Sequence, residues 1–324
     1  MQVLYLSETE QEDHKYVEEN EGKMNRYLSK IVVVAGTNAS GKSSLAIDLA
    51  KKYGGEIVSA DSRQVYKGFD LCSGKVTKEE RAQIPHHLLD VCNIEKPYSA
   101  ADYQKAAYAV IDQIIQRGHI PFLVGGTGLY ISSVVHGYDF QEETIDAAYR
   151  NELEKKSLKE LQDMLSEEAR EVLSENNSDR NNKRRLIRLL EKTRNGEKLT
   201  AQNCPRYKTL QLGVTWEKSI LHRRIDKRLR QRLDQGMIEE VRSYLEVGNS
   251  PEYLYRLGLE YRCIADYLDG KYSSFEEFYN HLSQAIKRFA KRQMTWFKKD
   301  TTIHWLNMEQ GYFEQACALI SLFI

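Results

Sequence analysis

Residues 31–53 read IVVVAGTNASGKSSLAIDLAKKY, and this stretch decides the fold. Ile31 to Ala35 is a compact β-branched run that signals a buried strand, and the residues after Gly41 have helical spacing. Between them Gly36, Thr37, Asn38, Ala39, Ser40, Gly41, Lys42 and Ser43 match GxxxxGK[ST], in the strand, loop and helix context that this pattern requires. Such a loop wraps a pyrophosphate in backbone N–H groups at the positive end of a helix. Lys42 adds a point charge, and the Ser43 hydroxyl is suited to ligating Mg²⁺. The motif implies a polyphosphate ligand without saying which one. A GTPase is disfavoured, because neither DxxG nor NKxD occurs.

Working outward, a second strand, Glu56 to Ala60, leads into Asp61. A helix over about Ala100 to Arg117 precedes a third strand, Ile120 to Val124, which ends at Gly125 and Gly126. Strands alternating with helices imply a parallel sheet, here a P-loop NTPase-like α/β core. From Ala147 the pattern changes to long, charged, amphipathic stretches, interrupted by Thr209 to Thr215, which supplies one more strand. The rest reads as helices. The expected plan is a core formed by 30–140 and 205–324, with C-terminal helices, and a helical insertion at 141–204. Residues 1–29 are acidic and aperiodic, and are expected to form a flexible extension in which Met24 offers an alternative start.

Composition sets wider limits. The chain has 324 residues, 41% hydrophobic and 29% charged with only 5 prolines, which suits a helix-rich globular protein. Its 47 basic and 47 acidic residues balance, so net charge says nothing about a nucleic-acid partner, although the charge is unevenly spread. Five cysteines stand singly, with no CxxC pair, which suggests neither a zinc site nor a disulfide framework and fits a reducing cytoplasm. Nowhere do 18 apolar residues follow one another, so a membrane span is not expected.

Asp61 falls at the C-terminal end of a parallel strand, where such sheets place their ligand crevice; it can hold a metal, act as a base, or cap a following helix. The strings around it point further. GTNASGKS, DSRQVYKG, PHHLLD, YSAADY, GGTGLY, NNKRRLIRLLE, RIDKRL and AKRQMTWF occur in that order from about Ile31 to Lys299. Together they resemble the tRNA dimethylallyltransferase family, whose members prenylate N6 of the adenosine 3′ to the anticodon.

The resemblance implies dimethylallyl pyrophosphate as donor, bound by Gly36 to Ser43, with Mg²⁺ as cofactor and the anticodon stem-loop of tRNA as partner. It makes Asp61 the general base and Arg228 a pyrophosphate-contacting arginine. Thr127, in GGTGLY, matches a threonine near the base and leaving group; by itself it reads equally as a turn hydroxyl. Asp61, Ser62, Arg63 and Gln64, then Thr127, then Arg184, Arg185, Leu186, Ile187 and Arg188, and finally Tyr261 and Arg262 correspond to tRNA-contacting segments. A monomer is expected.

Three basic stretches suit an RNA partner: 180–188, 218–232 and 287–299. Arg224, Arg228 and Arg232 fall at i, i+4 and i+8, so a helix would align them as a cationic stripe fit for phosphates. The chain also departs from the family pattern, with Thr37 and Asn38 in the loop and Cys72 to Val76 where a glycine-threonine-alanine-lysine-proline stretch is usual. Rival readings are an enzyme prenylating free AMP, ADP or ATP, an ATP-dependent kinase, and a non-catalytic RNA-binding protein. The insertion and the basic 180s segment argue against the first, and Lys42, Ser43, Asp61 and Arg228 against the last. His86 and His87 read as structural histidines.

Overall fold

The computed structural model describes residues 28–140, 146–174, 180–197, 199 and 203–324. They form two compact units, one running to Val135 and resuming over Pro205–Ile324, the other His136–Cys204. In chain order the first unit holds β1 (Lys30–Gly36), α1 (Lys42–Tyr53), β2 (Gly55–Ala60), α2 (Asp70–Ser73), α3 (Lys78–Arg81), β3 (His86–His87), α4 (Ala100–Gln116), β4 (Ile120–Gly125) and α5 (Gly128–Val135). The second unit contributes α6 (Ala147–Lys155), α7 (Leu158–Asp163), α8 (Glu167–Ser174) and α9 (Lys183–Asn195). The chain then returns as β5 (Lys208–Thr215), α10 (Lys218–Asp234), α11 (Met237–Glu246), α12 (Pro251–Leu257), α13 (Leu259–Leu268), α14 (Phe275–Phe297), β6 (His304–Asn307) and α15 (Tyr312–Phe323).

The six strands make one sheet in the order β3-β2-β4-β1-β5-β6, and every pairing is parallel. Strand β1 sits inside, with Val32 opposite Phe122 on one side and Leu210 on the other. Its run from Ile31 to Ala35 is 0% exposed. Ile31, Val33 and Ala35 enter the core built with α4, α5, α10 and α14, while Val32 and Val34 enter the opposite core with α1 and α15. Burial on both faces is why this strand is an unbroken apolar run rather than an alternating one. Each isoleucine or valine of the run contributes roughly 1.5–3 kcal/mol.

Local chemistry fixes the elements around it. The YSAADY string opens α4 with a capping box: Ser99 accepts from the Asp102 N–H, and Asp102 accepts from the Ser99 N–H. Gly125 pairs with Ala60, and a Cβ there would lie 2.0 Å from the Ala60 oxygen, so only glycine lets β2 and β4 run side by side at their ends.

The strands exceed their expected spans by one or two residues, and two short ones were not anticipated. Strand β6 is an edge in which Leu306 alone is buried, and β3 is only His86–His87; neither has enough apolar pattern to announce itself. The Ser29 carbonyl accepts from Lys208 N–H at 3.0 Å, so the sheet unit includes that end of the expected extension. Residues 1–27 lie outside the described ones. The second unit starts at His136 rather than 141, its ends tied by Cys204 N–H to Gly137 oxygen at 2.9 Å. It has its own core of Leu153, Leu161, Leu186, Ile187 and Leu190. Among the described residues no helix is long and apolar enough to cross a membrane.

Candidate active site

The loop after β1 turns on two left-handed residues, Ala39 (φ 60°) and Gly41 (φ 90°), before α1 begins at Lys42. Gly41 caps α1 without any side-chain hydrogen bond, which leaves the first-turn N–H groups to a ligand. Thr37 and Ser40 are each 1% exposed, and the Ser40 hydroxyl donates to the Thr37 oxygen at 2.8 Å. Their side chains therefore shape the loop and do not line it. Distant residues brace it from outside. Trp216 Nε1 donates to the Ser40 oxygen at 2.7 Å, and Arg224 Nε donates to the Ala39 oxygen at 2.9 Å with its guanidinium 4.3 Å above the Trp216 ring.

Lys42, Ser43, Asp61, Arg228, Arg232 and Glu260 line one cavity beside this loop, with apolar walls from Ile225, Leu229 and Ile286. Burial pulls the Lys42 ammonium down to about 8; Asp61 opposes that shift and Arg228 adds to it. Three cationic side chains against two carboxylates leave the cavity suited to an anionic ligand.

Asp61 follows β2, and its Oδ1 accepts from the Arg63 N–H at 2.9 Å. This is the local turn an aspartate favours; the next helix begins at Asp70, so Asp61 caps none. Thr127 follows β4, with its N–H on the Ala60 oxygen at 3.1 Å. Its hydroxyl accepts from the Ser62 N–H at 2.9 Å and donates to the Ser62 hydroxyl at 3.2 Å. The two strand exits are thus tied together next to Asp61. Gln64 accepts from the Ser59 hydroxyl at 3.0 Å and donates to the Gly74 oxygen at 3.3 Å, while Ser62, Arg63 and Gln64 stay half-buried.

Several expectations need correction. Arg224, Arg228 and Arg232 do share a face of α10, but each is engaged with backbone: Arg224 with Ala39, Arg228 with Gly74 at 2.9 Å, Arg232 with Leu71 and Cys72. Arg228 and Arg232 line the cavity, and all three arginines line the groove beside the loop while their guanidiniums hold backbone oxygens. Tyr261 is 1% exposed, packed edge-on against Phe69 at 5.3 Å, so its ring belongs to the core and does not stack on a base. Leu186 and Ile187 are also buried, in the core of the second unit. Arg188 is half-buried and paired with Glu197 at 2.9 Å, whereas Arg184, Arg185 and Arg262 are exposed. His87 bonds Glu56 at 2.6 Å and His86 bonds the Ile84 oxygen at 2.7 Å, as structural histidines do.

Sequence reasoning also missed Glu260, the second carboxylate of the cavity. It is 8% exposed, burial raises its pKa against the opposing pull of Arg232, and Arg232 lies 3.6 Å away. Its one legible signal was its place beside the Tyr261–Arg262 pair.

The IPP transferase family model matches residues 64–300. The chain is 38% identical over 297 residues to tRNA dimethylallyltransferase 2 of Shewanella sediminis, covering 90% of this chain and 97% of that one. It is 43% identical over 274 residues to tRNA dimethylallyltransferase 2 of Treponema denticola, covering 83% and 91%. Among solved structures it is similar to the full-length tRNA isopentenylpyrophosphate transferase from Bacillus halodurans, with a TM-score of 0.68, 33% identity, and coverage of 91% of this chain and 95% of the other. A glycine-rich loop between a strand and a helix, a carboxylate at the neighbouring strand exit, and likeness along nearly the whole chain lead to one conclusion: the chain belongs to the IPP transferase family, that of the tRNA dimethylallyltransferases.

Proposed function

We propose that this chain transfers the dimethylallyl group of dimethylallyl pyrophosphate to N6 of the adenosine on the 3′ side of the anticodon in tRNA, releasing pyrophosphate. The observation that carries the reading is that Lys42, Ser43, Asp61 and Arg228 line one cavity at the strand exits. In the transfer, the N6–C1 bond forms, the C1–O bond breaks, and its electron pair leaves with the pyrophosphate. The adenine amine is a poor nucleophile because its lone pair is delocalised into the ring, and Asp61, as base, takes the N6 proton. Lys42, Arg228 and the N–H groups of the loop receive the charge that grows on the leaving group. Thr127 holds the Asp61 turn through Ser62.

Mg²⁺ fits this cavity in a restricted sense. Among the described residues no cluster of three His, Cys, Asp or Glu could cage a metal, but the Ser43 hydroxyl lies in the cavity wall. Mg²⁺ ordinarily takes only one or two protein ligands and completes its shell with phosphate oxygens and water. Ser43 would hold it, and the ion would supply neutralising charge to the pyrophosphate.

The exposed Arg184, Arg185 and Arg262 are the arginines we assign to RNA phosphates. We also read the protein as a cytoplasmic monomer, a reading supported for the compartment by five unpaired cysteines. The test is transfer of a radiolabelled dimethylallyl group, with Mg²⁺, to an A-rich anticodon stem-loop, AMP and ATP in competition. Label on the stem-loop alone is expected; label on AMP or ATP would make this an enzyme of free nucleotides, and no label would return the kinase and RNA-binding-protein readings.

A further inference from the structure

One side chain joins the donor loop to the strand exit that carries Thr127, and it comes from α14, near the end of the chain. Gln293 Oε1 accepts from the Asn38 N–H at 3.0 Å, and its Nε2 donates to the Gly126 oxygen at 2.8 Å. An amide has one acceptor end and one donor end, so only this orientation satisfies both partners; a flip would set N–H against N–H and oxygen against oxygen. Gln293 is 7% exposed. The space is also closed: a Cβ on Gly126 would lie 2.6 Å from Gln293 Nε2 and 3.2 Å from the Gly36 oxygen.

The bonds form a continuous path. From Asn38 it runs through Gln293 to Gly126, then Thr127, whose hydroxyl takes the Ser62 N–H beside Asp61. One end of that path is the loop read as holding the leaving group, and the other is the base. The string AKRQMTWF supplies the middle.

We propose that Gln293 is a positioning residue that sets the donor loop against the base, so that it acts on the chemical step and not on the binding of either substrate. The proposal rests on the transfer reading above. Alignment of two bound reactants is worth orders of magnitude in rate, and an error of about 1 Å costs up to about a hundredfold. Gln293 touches neither reacting atom, so its loss is expected in kcat.

Two variants test this, each by steady-state transfer to an anticodon stem-loop. Gln293→Met keeps the shape and removes both bonds; kcat is expected to fall at least about tenfold while KM for donor and for stem-loop each stays within about twofold. Gln293→Glu gives a readout that mere packing would not move. An ionised carboxylate can accept from Asn38 but cannot donate to Gly126, whereas the protonated acid does both. A buried carboxyl titrates above its ordinary range, so the ratio of its kcat to that of the unaltered chain is expected to rise at least about threefold from pH 8 to pH 6. A Gln293→Met enzyme with undiminished kcat, a loss confined to KM, or a Gln293→Glu ratio that is flat with pH would overturn the brace. If the unaltered chain transfers no label, the transfer reading fails and takes this one with it; if it does and both variants match it, only the brace fails.

Discussion

The Arg228 guanidinium donates through Nη2 to the oxygen of Gly74 at 2.9 Å, and a Cβ added to Gly74 would lie 2.9 Å from that same nitrogen. The arginine assigned to the leaving group therefore rests on a turn where a side chain would displace its guanidinium. Gly74 also has φ 60°, a conformation that costs an L-residue roughly 1–2 kcal/mol. Gly74→Ala is expected to push Arg228 aside and raise the KM for donor about tenfold, with stem-loop affinity unchanged. Equal kinetics for the two proteins would detach Arg228 from this turn.

Asp61→Ala should retain stem-loop binding and lose at least about a hundredfold in kcat, within the usual range for a general base. Single-turnover transfer measures it directly. Near-normal turnover would remove Asp61 from the chemistry.

Lys42 makes donor binding depend on pH. With its pKa lowered to about 8 in the free protein, the ammonium is nearly fully charged one and a half units below that value and mostly neutral well above it. A bound pyrophosphate favours the charged form and raises the pKa, so affinity should fall as pH rises through about 8. Calorimetry in buffers of different ionisation heat should show proton uptake on pyrophosphate binding near pH 8.5 and almost none near pH 6.5. Uptake at the higher pH that is unchanged in a Lys42→Met protein would mean that the pyrophosphate does not engage Lys42.

Stability has its own acid limit at the other end of the sheet. Burial would raise the pKa of Glu56, but bonds from Arg117, His119 and His87 outweigh it and hold the carboxyl at about 2. A depressed carboxylate contributes stability that is complete above its ordinary pKa of 4.5 and is lost as pH falls toward 2. Glu56→Ala is expected to cost about 2–3 kcal/mol at neutral pH and to flatten the stability curve in that acid window. Urea unfolding at a series of pH values would show it.

RNA contacts should separate by burial. Arg184 is exposed, so Arg184→Ala is expected to weaken tRNA binding and lower its salt slope by about 1, with little change in unfolding temperature. Leu186 is 0% exposed, so Leu186→Ala should cost roughly 2–5 kcal/mol of the stability of its unit. A salt slope unmoved by Arg184→Ala would take that residue out of the interface.

How much of this was legible in the sequence depended on distance along the chain. Strand β1 and its loop declare themselves locally, by an apolar run and a glycine-lysine signature, and Asp61 by following a strand. The supports of the loop do not. Trp216, Arg224 and Gln293 act 176, 185 and 255 residues away from their partners, and no local period encodes such pairings. The arginines of α10 were correctly seen to share a face, yet spacing alone cannot tell a face turned to solvent from one turned to backbone carbonyls. Tyr261 was misplaced for the same reason: a tyrosine beside an arginine has the same letters whether its ring is buried or exposed.

Those three braces also set an order in time. A nascent chain emerges at roughly 5–20 residues per second, so the donor loop leaves the ribosome on the order of ten to fifty seconds before Gln293 does. For that interval the signature is fully written while one of its supports has not been made. The most recognisable motif of the protein therefore waits for a support made long after it, and a product truncated before α14 would carry the motif without that brace.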